Sequence, residues 1–122
     1  KQYVPPEYPA VADLEVTLAL RQAARDRGVR HHVGLTQSKD SFYGQHEPDR
    51  MPVSRQLQDR WKAWIAGGTL CSEMEASTIF VVTRMLNCRS GGIMTSGIDL
   101  THLLVTAVDG LKILIEQDVA RR

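Results

Sequence analysis

A chain of 122 residues allows one domain at most, large enough for a core but near the lower end for an α/β sheet protein. Its 43% apolar and 24% charged residues are ordinary for a soluble globular protein, and a net charge of +1 excludes the basic field of a nucleic-acid binder or a polybasic membrane patch. No apolar run approaches the roughly 18–20 residues of a membrane span, and the opening Lys1-Gln2-Tyr3-Val4-Pro5-Pro6 lacks the regions of a signal peptide. Two cysteines, Cys71 and Cys88, make no disulfide framework, so they are expected as buried thiols in a reducing, cytoplasmic compartment.

Three prolines among Val4–Pro9 forbid a helix at the start. Asp13 then caps a predicted helix through about Arg27, with Gly28 as its stop. Leu14, Leu18 and the alanines supply its packing face. Val29 to about Ser38 reads as a strand, with Val33, Leu35 and Thr36 as β formers. Lys39 to Arg50 is a polar loop carrying the adjacent aromatics Phe42 and Tyr43. Its length for a compact domain favours a functional role.

Ser54 is the expected N-cap of a helix reaching Ala66, where Leu57, Trp61, Trp64 and Ile65 share one face and predict core positions for both tryptophans. Gly67-Gly68 ends it. A strand from Thr69 runs into a helix from about Ala76 to Leu86, with Asn87 as C-terminal cap. Arg89 to Ile98 is a further strand candidate. A last helix from about Thr101 to Ala120 carries an apolar stripe of Leu103, Leu104, Ala107, Val108, Leu111, Leu114 and Ile115. Strands alternating with helices give an α/β fold class.

Motifs for dinucleotides, for nucleotide triphosphates and for the α/β-hydrolase nucleophile are absent from the sequence. His31 and His32 are adjacent and would face opposite sides of a strand. His46 and His102 stand apart, so no metal site is expected. The stretch around Cys71-Ser72-Glu73-Met74-Glu75-Ala76 is more informative. Two carboxylates where a strand becomes a helix stand at the mouth of an α/β sheet and could accept hydrogen bonds from vicinal sugar hydroxyls. They could equally be helix N-terminal acids favoured by the macrodipole.

Three segments in order resemble the uridine phosphorylase branch of the nucleoside phosphorylase family. These are Tyr3-Val4-Pro5 through Pro9-Ala10-Val11-Ala12-Asp13, then Asp40-Ser41-Phe42-Tyr43-Gly44-Gln45, then Glu73-Met74-Glu75. The similarity runs from Lys1 to about Gly97, and the loop variant with His46 and Met51-Pro52-Val53-Ser54 looks like a subgroup common in Gram-positive bacteria. It implies a mixed central β-sheet flanked by helices, a three-layer sandwich incomplete at its amino-terminal side. It implies a single domain that forms the carboxy-terminal part of a longer chain, with a loop missing near Asp99-Leu100.

The implied reaction is phosphorolysis of uridine to uracil and ribose 1-phosphate, with inorganic phosphate as co-substrate and no cofactor or metal. By resemblance, Phe42 packs against uracil, Gln45 meets its N3–H and a carbonyl, and Arg50 completes the base contact as the catalytic residue. Arg50 is a positional assignment, because the family's arginine lies two places after the glutamine, where this sequence has Glu47, and His46 is an alternative contact. Met74 would lie against the ribose and Glu75 would accept from its hydroxyls, with Glu73 bordering the same pocket. Phosphate would be held by residues preceding Lys1 in the family and by a neighbouring subunit of a dimer-based hexamer. Partners are therefore uridine, uracil, ribose 1-phosphate, phosphate and further copies of the chain, with no nucleic acid and no membrane. Two other readings compete: a purine phosphorylase or nucleosidase using Asp99, and a non-catalytic nucleoside-binding fragment.

Overall fold

A computed structural model of the chain describes residues 4–97 and 100–122. Two compact units emerge, one made of the chain up to Val33 together with Thr78–Arg122, the other of Gly34–Ser77.

In the first unit, helix α1 (Leu14–Asp26) starts where the sequence predicts. The Asp13 carboxylate accepts the N–H groups of Glu15 at 3.0 Å and Val16 at 3.2 Å, satisfying two of the donors that a helix start leaves open. Gly28, at φ 64°, turns the chain out of the helix. The long helix α5 (Thr101–Ala120) packs on α1. The packing face of α1 is its alanines, Ala19, Ala23 and Ala24, whereas Leu14 and Leu18 are exposed, contrary to expectation. Small residues prevail because α5 comes very close: a Cβ on Gly110 would lie 2.8 Å from Leu20 Cδ2 and 3.2 Å from Leu20 Cα. The α5 stripe is likewise divided. Leu114 is buried, while Leu104, Val108, Leu111 and Ile115 remain exposed.

Salt bridges of Arg89 with Glu15 (2.7 Å) and Asp118, of Arg121 with Glu15 (2.5 Å), and of Arg27 with Asp109 (2.9 Å) rim this helix pair. Helix α4 (Ala76–Met85) begins in the other unit and contributes most of its length here, closing at Asn87 with φ 54°, the left-handed cap expected of asparagine.

The strand expected over Arg89–Ile98 does not form among the described residues, and Ile98 itself lies outside them. The segment is tied down by other means. Ser90 accepts the Asp13 N–H at 2.8 Å through its carbonyl, its hydroxyl lies 2.5 Å from that of Thr83, and Gly91 lies against Val16. Strand-forming residues without a neighbouring ladder have nothing to pair with, so side-chain and backbone contacts to helices take over.

The second unit is built on a parallel pair, β1 (Leu35–Ser38) and β2 (Thr69–Glu73). The predicted strand from Val29 is thus shortened to its last four residues, and His31 and His32 stand outside it. His31 Nδ1 donates to the Val29 carbonyl at 2.8 Å instead. Leu35 pairs with Thr69 and Thr36 with Cys71, so Leu70 is an extra residue in the ladder. Its side chain occupies the space beside Gly34, where a Cβ would meet Leu70 Cδ1 at 2.5 Å. Cys71 is half-buried and Cys88 exposed, so the expectation of two buried thiols holds for neither in full.

A parallel pair needs a crossover. It is supplied by α2 (Phe42–His46), a 3₁₀ turn (Pro48–Arg50) and α3 (Ser54–Ala66). The loop read from sequence therefore contains a helix, because Ser41 caps it, accepting the Gly44 N–H at 3.0 Å. Val53 rather than Ser54 holds the cap position of α3, and the Ser54 hydroxyl donates to Asp49 at 3.2 Å. No residue of α3 is buried. Trp64 is 43% exposed and Trp61 only half-buried, so neither tryptophan is a core residue in this unit. Gly68, at φ 85°, lets the chain reverse from α3 into β2. Across the described residues the architecture is mixed α/β, with a two-stranded parallel sheet and five α-helices.

Candidate functional site

Phe42, Gln45, Glu73, Met74 and Glu75 lie in the second unit, toward the carboxyl ends of β1 and β2. This is the edge at which open parallel sheets present ligand sites. Glu73 ends β2, and its carboxylate turns inward to the start of α4. One oxygen accepts the amide N–H of Glu75 at 2.7 Å and of Ala76 at 2.5 Å, and the other accepts from the Ser38 hydroxyl. Ser38 Oγ in turn accepts the Ser77 N–H at 2.9 Å. Glu73 is therefore a helix-start acceptor, held by a residue from the neighbouring strand. Burial raises its pKa, but the Ser38 hydroxyl, the two amides and the charge of Lys39 outweigh it, and the net effect is a lowering.

Glu75 is oriented differently. It is exposed, and among the described residues only the Met74 N–H donates to its carboxylate, at 3.3 Å. Met74 is also exposed. The two acids in one turn are therefore differently placed, the first turned inward onto the helix start and the second exposed.

Residues of α2 meet this turn through a polar chain. The Lys39 ammonium donates to Ser72 Oγ at 3.3 Å, and the Ser72 hydroxyl donates to Gln45 Oε1 at 2.9 Å. Lys39 Nζ also lies 3.1 Å from His46 Nε2 and 5.3 Å from the centre of the Phe42 ring, a cation over an aromatic face. Phe42 and His46, one helical turn apart, hold their ring centres 4.3 Å from each other. The structure thus brings together Phe42, Gln45, Glu73, Met74 and Glu75 at one end of the sheet. Gln37, Lys39, Gln45, Leu57 and Trp61 border a cavity of about 200 Å³ beside it.

Arg50 is not brought to this group. It pairs with Glu47 three residues earlier and its side chain is 72% exposed. The cation beside Gln45 is Lys39, which sequence reasoning passed over, as it did Ser38 and Ser72. A signal existed for the lysine: Lys39 directly follows the predicted strand, at the carboxyl end where parallel sheets present their sites. Asp99, on which a purine reading depends, lies outside the described residues. Among the described residues no group of histidine, cysteine, aspartate or glutamate could hold a metal ion, and no helix is long and apolar enough to cross a membrane.

Carboxylate, amide, aromatic ring and ammonium thus stand together at a sheet edge, on a parallel crossover. The chain belongs to the phosphorylase superfamily, which residues 1–110 match. It is 42% identical over 136 residues to the uridine phosphorylase of Treponema pallidum, a match taking in 99% of this chain and 53% of that protein. Identity is 46% over 96 residues to the uridine phosphorylase of Thermococcus kodakarensis, covering 75% of this chain and 34% of that protein. The guanosine phosphorylase of Halorubrum lacusprofundi is 36% identical over 95 residues, 78% of this chain and 35% of that protein. The chain spans about half the length of the Treponema relative, and less of the others. The matched span of the Treponema relative, 136 residues, is longer than this chain, so that relative carries residues with no counterpart here.

Proposed function

We propose that these residues belong to a uridine phosphorylase and form the base- and ribose-binding portion of its active site. The reaction is reversible phosphorolysis: a phosphate oxygen bonds to C1′ of uridine as the C1′–N1 bond breaks, and the bond's electron pair leaves on uracil. The observation that carries this reading is the hydrogen bond from Ser72 to Gln45. It joins the Glu73-Met74-Glu75 turn to the Phe42–His46 helix, so that groups suited to a sugar and to a pyrimidine stand side by side.

Each group has a task in that reaction. Glu75 accepts from the ribose hydroxyls while Met74 packs on the sugar. Glu73 holds the turn in shape from behind. Phe42 packs on the base and Gln45 reads its edge. Lys39, beside Gln45 and His46, stabilises the negative charge that develops on departing uracil, the part that sequence alone assigned to Arg50. Ammonium groups do this as point charges, without the fork of a guanidinium.

The remaining requirements fall outside residues 1–122 in this reading. Phosphate is held by parts of the protein corresponding to the other half of the relatives' length. The same parts complete the central sheet of a three-layer sandwich, in one domain with these residues, and a further loop enters near Asp99-Leu100. Further copies of the chain, as dimers within a cytoplasmic hexamer, close the site, and no cofactor beyond phosphate takes part. The guanosine phosphorylase among the relatives keeps purine nucleosides in view as the second reading.

Phosphorolysis of uridine and of inosine by the whole protein of which these residues are part, with and without phosphate, separates these possibilities. Phosphate-dependent release of uracil is the expected result. Release of hypoxanthine instead would transfer the site to purines, and nucleoside binding with no turnover would make the protein a binding module.

A further inference from the structure

The polar chain beneath Gln45 has a direction, and the direction has a consequence for which base is accepted. An ammonium only donates hydrogen bonds, so Ser72 Oγ, 3.3 Å from Lys39 Nζ, is the acceptor in that contact. The Ser72 hydroxyl donates its one proton to Gln45 Oε1 at 2.9 Å. Oε1 is thereby held toward Ser72 and the NH₂ group is directed elsewhere. Both anchors are fixed by the sheet, Ser72 within β2 opposite Gln37 and Lys39 directly after β1, where its backbone N–H donates to the Glu73 carbonyl at 2.8 Å.

A glutamine amide free to rotate by half a turn reads two pyrimidines equally well. With oxygen toward N3 and nitrogen toward the adjoining carbonyl it fits uracil, whose N3–H donates and whose O4 accepts. Turned over, it fits cytosine, whose N3 accepts and whose amino group donates. Pinned in the first arrangement, the amide sets acceptor against acceptor and donor against donor when cytosine enters. Leaving two such groups desolvated and unpaired is the form of discrimination that polar sites make steep.

We propose that Ser72, directed by Lys39, is a specificity-determining positioning residue that locks the Gln45 amide in the orientation that accepts uracil and rejects cytosine. The proposal rests on Gln45 facing the base, as in the function proposed above. Ser72 acts through Gln45 and does not itself touch the nucleoside.

The test is titration of the full chain with uridine and with cytidine, read as the ratio of the two dissociation constants. The parent protein prefers uridine. Ser72→Ala frees the amide, weakens uridine and strengthens cytidine, narrowing the ratio by about tenfold or more. Ser72→Thr keeps the hydroxyl and keeps the preference. Lys39→Gln, whose amide can donate or accept, removes the direction of the chain and narrows the ratio as well, without removing a side chain from β2. Equal weakening of both nucleosides in Ser72→Ala and Lys39→Gln would mark Ser72 as merely structural and overturn the proposal. A parent protein that binds neither nucleoside would overturn the uridine reading itself. Uridine preference that survives both substitutions would overturn only the lock.

Discussion

The hydroxyl of Ser38, at the end of β1, donates to the carboxylate of Glu73, at the end of β2, and accepts the first-turn amide of Ser77 at 2.9 Å. One small side chain thereby ties both strand ends to the start of α4. Replacing it with alanine leaves the Ser77 amide and a Glu73 oxygen without their protein partner. Ser38→Ala should cost about 1 kcal/mol of stability, measured by urea denaturation. Equal stability in the variant would show that the contact contributes nothing net.

Acid should weaken the same junction. Glu73 in the folded protein holds its pKa below the ordinary carboxylate value, through Ser38, two amides and Lys39 acting against burial. Folding thus favours the ionised form. Its contribution is complete above the unfolded-state pKa and is lost as the pH falls through the lower, folded-state value. Glu15, lowered by Arg121 and Arg89, and Asp118, lowered by Arg89, act in the same sense at the surface. Denaturation midpoints should therefore decline below the usual carboxylate range, and the decline should be shallower in Glu73→Gln. A pH profile identical to the parent's would count against the arrangement around Glu73.

In the proposed reaction, charge stabilisation at the base would distinguish two cations. Lys39→Met should lower kcat/KM for uridine by about a hundredfold, the usual effect of removing one preorganised charge from a developing anion. Arg50→Met breaks an exposed pair with Glu47 and should change kcat/KM by less than about threefold. The opposite order of effects would return the base contact to Arg50.

Helix packing in the first unit hinges on Gly110. An added methyl group meets both the side chain and the backbone of Leu20. Gly110→Ala should destabilise by roughly 1–3 kcal/mol, despite the higher helix propensity of alanine. Thermal or urea unfolding measures it, and a neutral result would mean that α1 and α5 move apart readily.

Local chemistry was well written in the sequence. Asp13, Gly28, Gly67-Gly68 and Asn87 mark the ends of helices because capping and left-handed turns depend on few residues near in sequence. What depends on neighbours was less legible. Arg89–Ile98 has the composition of a strand but no ladder to join among the described residues. Trp61 and Trp64 share the right helical face yet remain partly exposed, because periodicity states which residues group together and not what covers them. At the candidate site, Phe42, Gln45 and Glu75 were singled out by residue type through the resemblance. Ser38, Ser72 and Lys39 were missed because their importance comes from register: the pairing of Gln37 with Ser72 and Ser38 with Glu73 brings distant polar side chains within reach.

That register has a kinetic side. β1 and β2 are joined by the whole of α2, the 3₁₀ turn and α3, and no hairpin can bring them together early. Closing so long a loop costs chain entropy before any ladder bond repays it. The links from Ser38 to Glu73 and from Ser72 to Gln45 span the same closure, so the pocket exists only once the crossover has been completed. A ligand held there would bind only the closed crossover and so stabilise the pairing of β1 with β2 by mass action.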